Sequence, residues 1–279
     1  MQVFLTGGTG FIGSHFVNQA HEAGERILAL RHRPDSKARV PLAQEPQWVD
    51  KTMAEVTPDD LAGCEVMVHL AAHSANVPYD TLEHCLEKNL IAPLRLFRTA
   101  IAAGIRRFIV AGSCFEYGRA GERYEFIPVD APLEPTLSYP TSKAAASVAF
   151  HSLACEENLE LLILRIFQVY GQGEAESRFW PALRKAALAG DDFPMTQGDQ
   201  IRDFIYVSDV AAHFVKALRR EDIPAGRPLI GHVGSGIPMT LAEFAARQWT
   251  AFGAKGKLLL GAVPKRSGEI HRYVPLISR

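Results

Sequence analysis

Eight residues near the start, Thr6-Gly7-Gly8-Thr9-Gly10-Phe11-Ile12-Gly13, restrict the architecture of this chain more than any other segment. They join a short apolar run, Gln2–Thr6, to a stretch from Phe11 to Ala23 in which apolar residues recur at helical spacing until Gly24 stops it. Strand, glycine turn and helix in direct succession leave few geometries. Glycines at 7, 10 and 13 permit a tight turn, let the backbone approach a pyrophosphate and let the helix sit close on the sheet. The free N–H groups and dipole of the helix face the same turn. A tight turn alone would need one or two of these glycines, so the triplet predicts a dinucleotide site at Gly7, Gly10, Phe11, Ile12 and Gly13.

The alternation continues beyond the turn. Arg26–Leu30, Glu65–His69, Arg107–Ala111 and Leu161–Ile166 read as strands, the last three as near-continuous apolar runs. Between them, Leu82–Ala103 (stopped by Gly104) and Ser138–Asn158 read as long helices. The predicted fold class is α/β, a Rossmann-type doubly wound parallel sheet. From Gly171 onward, short segments broken by Gly and Pro replace this pattern, with helices at Trp180–Ala189, Ser208–Arg219 and Leu241–Phe252. The expected division is a dinucleotide-binding domain at 1–170 and a smaller C-terminal substrate-binding lobe at 171–279, some segments of which return to the first domain.

Bulk properties narrow the partner. Of 279 residues, 47% are hydrophobic and 22% charged, enough to bury a large core. Thirty Lys and Arg against 31 Asp and Glu leave a net charge of −1, which provides no global field toward nucleic acid or an anionic membrane. No apolar run approaches the roughly 20 residues of a membrane span, and the first residues lack a secretory pattern, so a cytoplasmic location is expected. Cys64, Cys85, Cys114 and Cys155 are far apart with no CxxC pair and read as reduced thiols, with no metal site predicted. A small molecule recognised locally is the partner these features leave.

The chemistry concentrates at Tyr139-Pro140-Thr141-Ser142-Lys143. Pro140 suits a first helical turn, and Tyr139 and Lys143, four apart, share one helix face. A phenol titrates near 10, too high for neutral-pH proton transfer unless a nearby cation lowers it, and Lys143 fits that role. Ser113 follows the RFIVAG strand and stands four residues before Tyr117.

These residues, with the GxxGxxG spacing, HLAA at 69–72, Asn89 and GSCFEYG at 112–118, resemble the extended short-chain dehydrogenase/reductase family, in its nucleotide-sugar-modifying NAD-dependent epimerase/dehydratase branch. The resemblance covers nearly the whole chain. It implies catalytic roles for Ser113, Tyr139 and Lys143, with Tyr139 and Lys143 also at the cofactor, and cofactor contacts from Leu70, Ala71, Ala72, Asn89 and Asp50. In such folds an acidic residue ending the second strand favours NAD, whereas a basic one pairs with the extra phosphate of NADP. Arg31 and Arg33 stand there and favour NADP over NAD.

Two further strings, LRIFQVYG at 164–171 and QIRDFIYVSDV at 200–210, resemble signatures of the nucleotide-sugar branch. The resemblance implies that Arg202 and Arg266 contact the substrate diphosphate, and it places Gln168 and Arg178 at the substrate. Asp203 and Asp209 read as structural. Where dehydratases of the branch carry Thr-Asp-Glu, this chain has Ser113-Cys114-Phe115, which removes both carboxyl groups used for water elimination. GSCFEYG is itself similar to the string of some nucleotide-sugar 4-ketoreductases. The expectation is an NAD(P)-dependent 4-ketoreductase acting on a nucleoside-diphosphate sugar, with a 4-epimerase as the alternative. A non-catalytic dinucleotide sensor is the different-class alternative, whose mark would be loss of Tyr139 or Lys143. The two long helices resemble those of a family homodimer interface, so a homodimer is expected.

Overall fold

A computed structural model describes residues 1–265 and 270–277. In chain order the first elements are β1 (Gln2–Thr6), α1 (Phe11–Glu22), β2 (Arg26–Arg31), β3 (Gln47–Asp50) and β4 (Val66–His69). Next come α2 (Leu82–Leu86), a π-helical turn at Glu87–Ile91, α3 (Ala92–Ala102), β5 (Arg107–Ser113), α4 (Ser138–Glu156) and β6 (Glu160–Ile166). The remainder comprises β7 (Gln168–Tyr170), α5 (Phe179–Ala189), β8 (Phe193–Pro194), β9 (Ile201–Tyr206), α6 (Val207–Ala217) and β10 (Leu229–Val233). Last come β11 (Pro238–Thr240), α7 (Leu241–Ala251), β12 (Leu258–Leu259) and β13 (Arg272–Tyr273).

Seven strands form one parallel sheet in the order β10-β6-β5-β4-β1-β2-β3. The chain leaves β1 toward β2 and β3, then returns to the other side of β1 as β4, so the order reverses at β1 and β4. Open α/β sheets bind ligands beyond the carboxyl ends of strands at such a switch point. Side-chain alternation splits the core into two layers: Val3 and Leu5 join α1 and α6 on one face, while Phe4 joins α3 and α4 on the other. Burial of both faces explains why the strands read as near-continuous apolar runs.

The chain beyond β6 contributes both to this sheet and to a second layer. α6 packs against α1, and β10 pairs with β6 at the sheet edge. Meanwhile β7, β9, β11 and β13 form a separate four-stranded sheet, and α5 and α7 enclose a small core of Leu183, Met195, Ala245 and Trp249. Among the described residues no helix is long and apolar enough to cross a membrane.

The region predicted as one regular helix over Leu82–Ala103 departs from that expectation. Its middle turn is π-helical, and this turn carries the buried Asn89. Apolar periodicity is insensitive to a single wide turn, which re-aims side chains without ending the helix.

Candidate active site

The carboxyl ends of β1, β4, β5 and β6 open into a cleft of about 890 Å³. The glycine turn forms one end. Gly7 has φ +81°, and a Cβ there would lie 2.6 Å from the Ala71 nitrogen; at Gly13 a Cβ would collide with the Gly7 carbonyl oxygen. Backbone therefore lies where side chains would otherwise stand, next to Leu70, Ala71 and Ala72 at the end of β4. Gly10 caps α1 without any side-chain bond, and no acidic residue occupies the first turn of that helix. Its N–H groups and positive dipole end face the cleft, an arrangement that fits the pyrophosphate of a dinucleotide.

The three residues expected to be catalytic lie along the inner wall, where Ser113, Tyr139 and Lys143 line the same cleft as Gly7, Gly10, Phe11, Ile12 and Gly13. Tyr139 and Lys143 come from the first turns of α4, both buried, and Lys143 Nζ donates to the Ala111 carbonyl at 2.7 Å. Against the expected lowering by Lys143, burial pushes the Tyr139 phenol above its ordinary value, and only the hydrogen bond with Ser113 opposes this. Burial also lowers the Lys143 ammonium, against the attraction of Glu116. Cys114 beside them is pushed up to about 12 by burial, so it stays a thiol and fills space rather than acting as a nucleophile.

Two supports hold this wall. Asn89 does not line the cleft; it sits behind it. It accepts from His73 N–H at 2.7 Å and donates through Nδ2 to the His73 carbonyl at 3.1 Å and to Ser142 Oγ at 2.9 Å. Ser142 Oγ in turn donates to the Tyr139 carbonyl at 2.8 Å. Asn89 thereby ties the loop after β4 to the helix turn between Tyr139 and Lys143.

The second support, Glu116, was not singled out from sequence. Fully buried, its carboxylate accepts from Ser113 N–H at 2.7 Å, Ser147 Oγ at 2.8 Å and Arg165 Nε at 2.9 Å. Arg165 also donates to Tyr117 Oη and to the Val129 carbonyl, both at 2.8 Å. The signal was present: Ser113-x-x-Glu116 is the spacing of a capping box, and both of its reciprocal bonds form.

The rim is arranged differently. Gln168 and Arg178 line the cleft, and Arg178 bridges its two walls, donating to Glu174 Oε1 at 3.1 Å and Asn76 Oδ1 at 2.9 Å. The Tyr79 ring, also unforeseen, lies 5.5 Å from that of Tyr139. Arg31 ends β2 and Asp50 ends the edge strand β3; neither they nor Arg33 are among the residues lining the cleft. Arg31 holds Asp50 through two bonds, at 2.7 and 3.1 Å, with its guanidinium 4.7 Å over the Trp48 ring, whereas Arg33 is exposed. Arg31 holds Asp50 below, and Asp50 holds Arg31 above, their ordinary values.

Arg202, expected at the substrate diphosphate, donates to the carbonyls of Ile201, His271 and Ile270, at 2.8, 3.1 and 2.6 Å. It fastens β9 to the segment entering β13. Its neighbour Asp203 is buried and accepts from the N–H groups of Ser235 and Gly236. Arg266 lies outside the described residues. Among those residues, no group of three or more His, Cys, Asp or Glu side chains could hold a metal ion.

Known proteins are similar to this chain in both sequence and shape. UDP-glucose 4-epimerase from Corynebacterium glutamicum is 25% identical over 256 residues, covering 85% of this chain and 76% of its own. CDP-abequose synthase from Salmonella muenchen is 26% identical over 273 residues, covering 96% and 87%. The structure of MoeE5 in complex with UDP-glucuronic acid and NAD superposes with a TM-score of 0.85 at 26% identity, covering 99% of this chain and 90% of that one. The sequence model of the NAD dependent epimerase/dehydratase family matches residues 3–230, and the chain belongs to that enzyme family.

Proposed function

We propose that the protein is an NAD(P)-dependent oxidoreductase that reduces the 4-keto group of a nucleoside-diphosphate sugar. The observation carrying this reading is the convergence of Ser113, Tyr139 and Lys143 on one cleft with the glycine turn, while Cys114 and Phe115 occupy the positions after the serine. A bound nicotinamide dinucleotide would supply the hydride. Tyr139, kept protonated through the neutral range by burial, gives its proton to the carbonyl oxygen as that oxygen becomes an alcohol. Ser113 donates a hydrogen bond to the same oxygen and orients the reacting carbon. Lys143, held by the Ala111 carbonyl one helical turn from Tyr139, would offset the charge of the phenolate that forms. Neither Cys114 nor Phe115 offers a carboxyl group, so the chain's own residues provide no means at those positions to eliminate water.

A nucleoside-diphosphate substrate is supported by the relatives' UDP- and CDP-linked names and by Arg178 and Gln168 at the rim. The second reading, 4-epimerisation, draws support from the UDP-glucose 4-epimerases among the relatives. One experiment separates the two: incubation with a nucleoside-diphosphate 4-keto sugar and reduced dinucleotide, and separately with the hydroxy sugar and no added cofactor. Stoichiometric dinucleotide oxidation in the first supports the reductase. Interconversion of epimers without net oxidation in the second replaces it by the epimerase, and inactivity in both removes the catalytic reading.

The reading includes a two-fold homodimer through residues 82–103 and 138–158. Leu82, Leu137 and Val148, on or beside these segments, are exposed apolar side chains. A light-scattering mass near the 30.7 kDa of one chain at micromolar concentration would contradict it.

A further inference from the structure

Three arginines stand at or soon after the end of β2, and the structure treats them differently. Arg31 is engaged by Asp50 and Trp48, Arg33 is exposed and not among the lining residues, and Arg39, eight residues past the strand end, lines the cleft with Thr9, Gly10 and Phe11. We propose that Arg39 is a phosphate-holding residue of this site, sharing the dinucleotide's pyrophosphate with the N-terminus of α1. The proposal rests on the dinucleotide reading above.

The segment bearing Arg39 is fastened to the glycine turn and its helix. Arg39 N–H donates to the Thr9 carbonyl at 3.2 Å, Asn18 Nδ2 donates to the Pro41 carbonyl at 3.0 Å, and Ala43 N–H donates to Asn18 Oδ1 at 2.9 Å. Val40 is buried. From the other side the loop after β7 closes in: a Cβ on Gly173 would lie 3.2 Å from Arg39 Cβ and 3.0 Å from Val40 Cγ1. The arginine's backbone is therefore fixed at the turn while its side chain remains exposed.

Electrostatics supply the second argument. A helix N-terminus repels a cation and attracts an anion. Here the first turn of α1 carries no acidic residue, its cap makes no side-chain bond, and Arg39 forms no ion pair among the described residues. Two sources of positive potential thus meet at one end of a cleft with no side-chain anion between them in that turn. A ligand phosphate satisfies both, and a guanidinium fork can hold two of its oxygens.

The shared chemistry could be met by the pyrophosphate or by the 2′-phosphate of NADP, and binding distinguishes them. NAD and NADP are titrated calorimetrically into the parent, Arg39→Gln and Arg39→Lys, with folding checked by circular dichroism. Arg39→Gln should weaken both dinucleotides by about tenfold or more and flatten the salt dependence of binding, with Arg39→Lys between it and the parent. A loss confined to NADP would keep Arg39 as a phosphate ligand but move it to the 2′-phosphate. Unchanged affinity for both dinucleotides in folded variants overturns the inference while leaving the proposed function intact. A parent that binds neither overturns both.

Discussion

On and behind the inner wall of the cleft, Lys143, Asn89, Ser142 and Glu116 are buried and answered by other groups of the protein, whereas at the rim Arg39 is exposed and Arg178 partly so. The contrast follows from solvent. A buried polar group left without a partner costs about 1–3 kcal/mol, so wall residues must be satisfied before any ligand arrives. Rim groups meet water instead and can exchange it for phosphate or hydroxyl at little cost. On the proposed function the wall is preorganised for chemistry, and the rim would be where cofactor and substrate are told apart. Substitutions on the wall should have large effects on turnover or stability, and those on the rim smaller effects on affinity.

Tyr139→Phe puts the wall to the severest test. It removes the phenolic hydroxyl, and with it the transferable proton, at little cost in volume, so folding and dinucleotide affinity should persist while turnover falls by roughly 10²–10⁴. Turnover equal to the parent's, measured with a nucleoside-diphosphate 4-keto sugar, would take the proton-transfer role from Tyr139.

Glu116→Ala tests the support rather than the reacting group. It leaves the Arg165 guanidinium buried without its carboxylate and frees the Ser113 N–H, a change expected to destabilise the fold by about 3–5 kcal/mol in urea unfolding. A loss no larger than that of an exposed ion pair would mean the wall relaxes more freely than its burial implies.

The wall also sets a pH dependence through His69. Buried and bonded to Thr6 Oγ1 at 2.7 Å, it is lowered by burial and by Lys143 to about 3. An unfolded histidine takes a proton near pH 6.5, the folded one only near 3, so the unfolded state binds more protons throughout that window. Stability should therefore fall on acidification by about 1.4 kcal/mol per pH unit from this group alone, starting below pH 6.5. Urea midpoints at pH 7, 6 and 5 should show this component in the parent and lack it in His69→Gln. Equal slopes would show that His69 protonates freely in the folded state.

How far the site could be read from sequence follows the same divide. Gly7, Gly10 and Gly13 were legible because backbone geometry demands that residue type, and Tyr139 with Lys143 because a fixed helical spacing joins them. The parallel sheet was legible because strands buried on both faces must be apolar along their length. Glu116 with Arg165 was not read, since its 49-residue separation becomes contact only when β5 and β6 pair. The backbone contacts of Arg202 were hidden for a related reason. Its string named the residue, but the pairing of β9 with β13 brings the Ile270 and His271 carbonyls within its reach. The π-helical turn at Asn89 was illegible because hydrophobic period does not register one wide turn.

The smallest expected effect lies at the rim, in the choice between NADP and NAD. Arg31 stands where a cation would favour NADP, yet Nε and Nη2 of its guanidinium already donate to Asp50. A ribose phosphate would have to draw Arg31 partly from that carboxylate, so Asp50 weakens whatever preference Arg31 confers. Two substitutions should move the preference in opposite directions. Arg31→Asp deletes the phosphate partner and adds a ribose acceptor, lowering the ratio of NADP to NAD affinity; Asp50→Asn releases the guanidinium and raises it. Because the pair lies near solvent, each shift should be modest, about three- to tenfold. Calorimetric titration of both dinucleotides measures it. If neither substitution moves the ratio, Arg31 does not read the ribose, and the rim's discrimination must come from another cation, for which Arg39 is the next to vary.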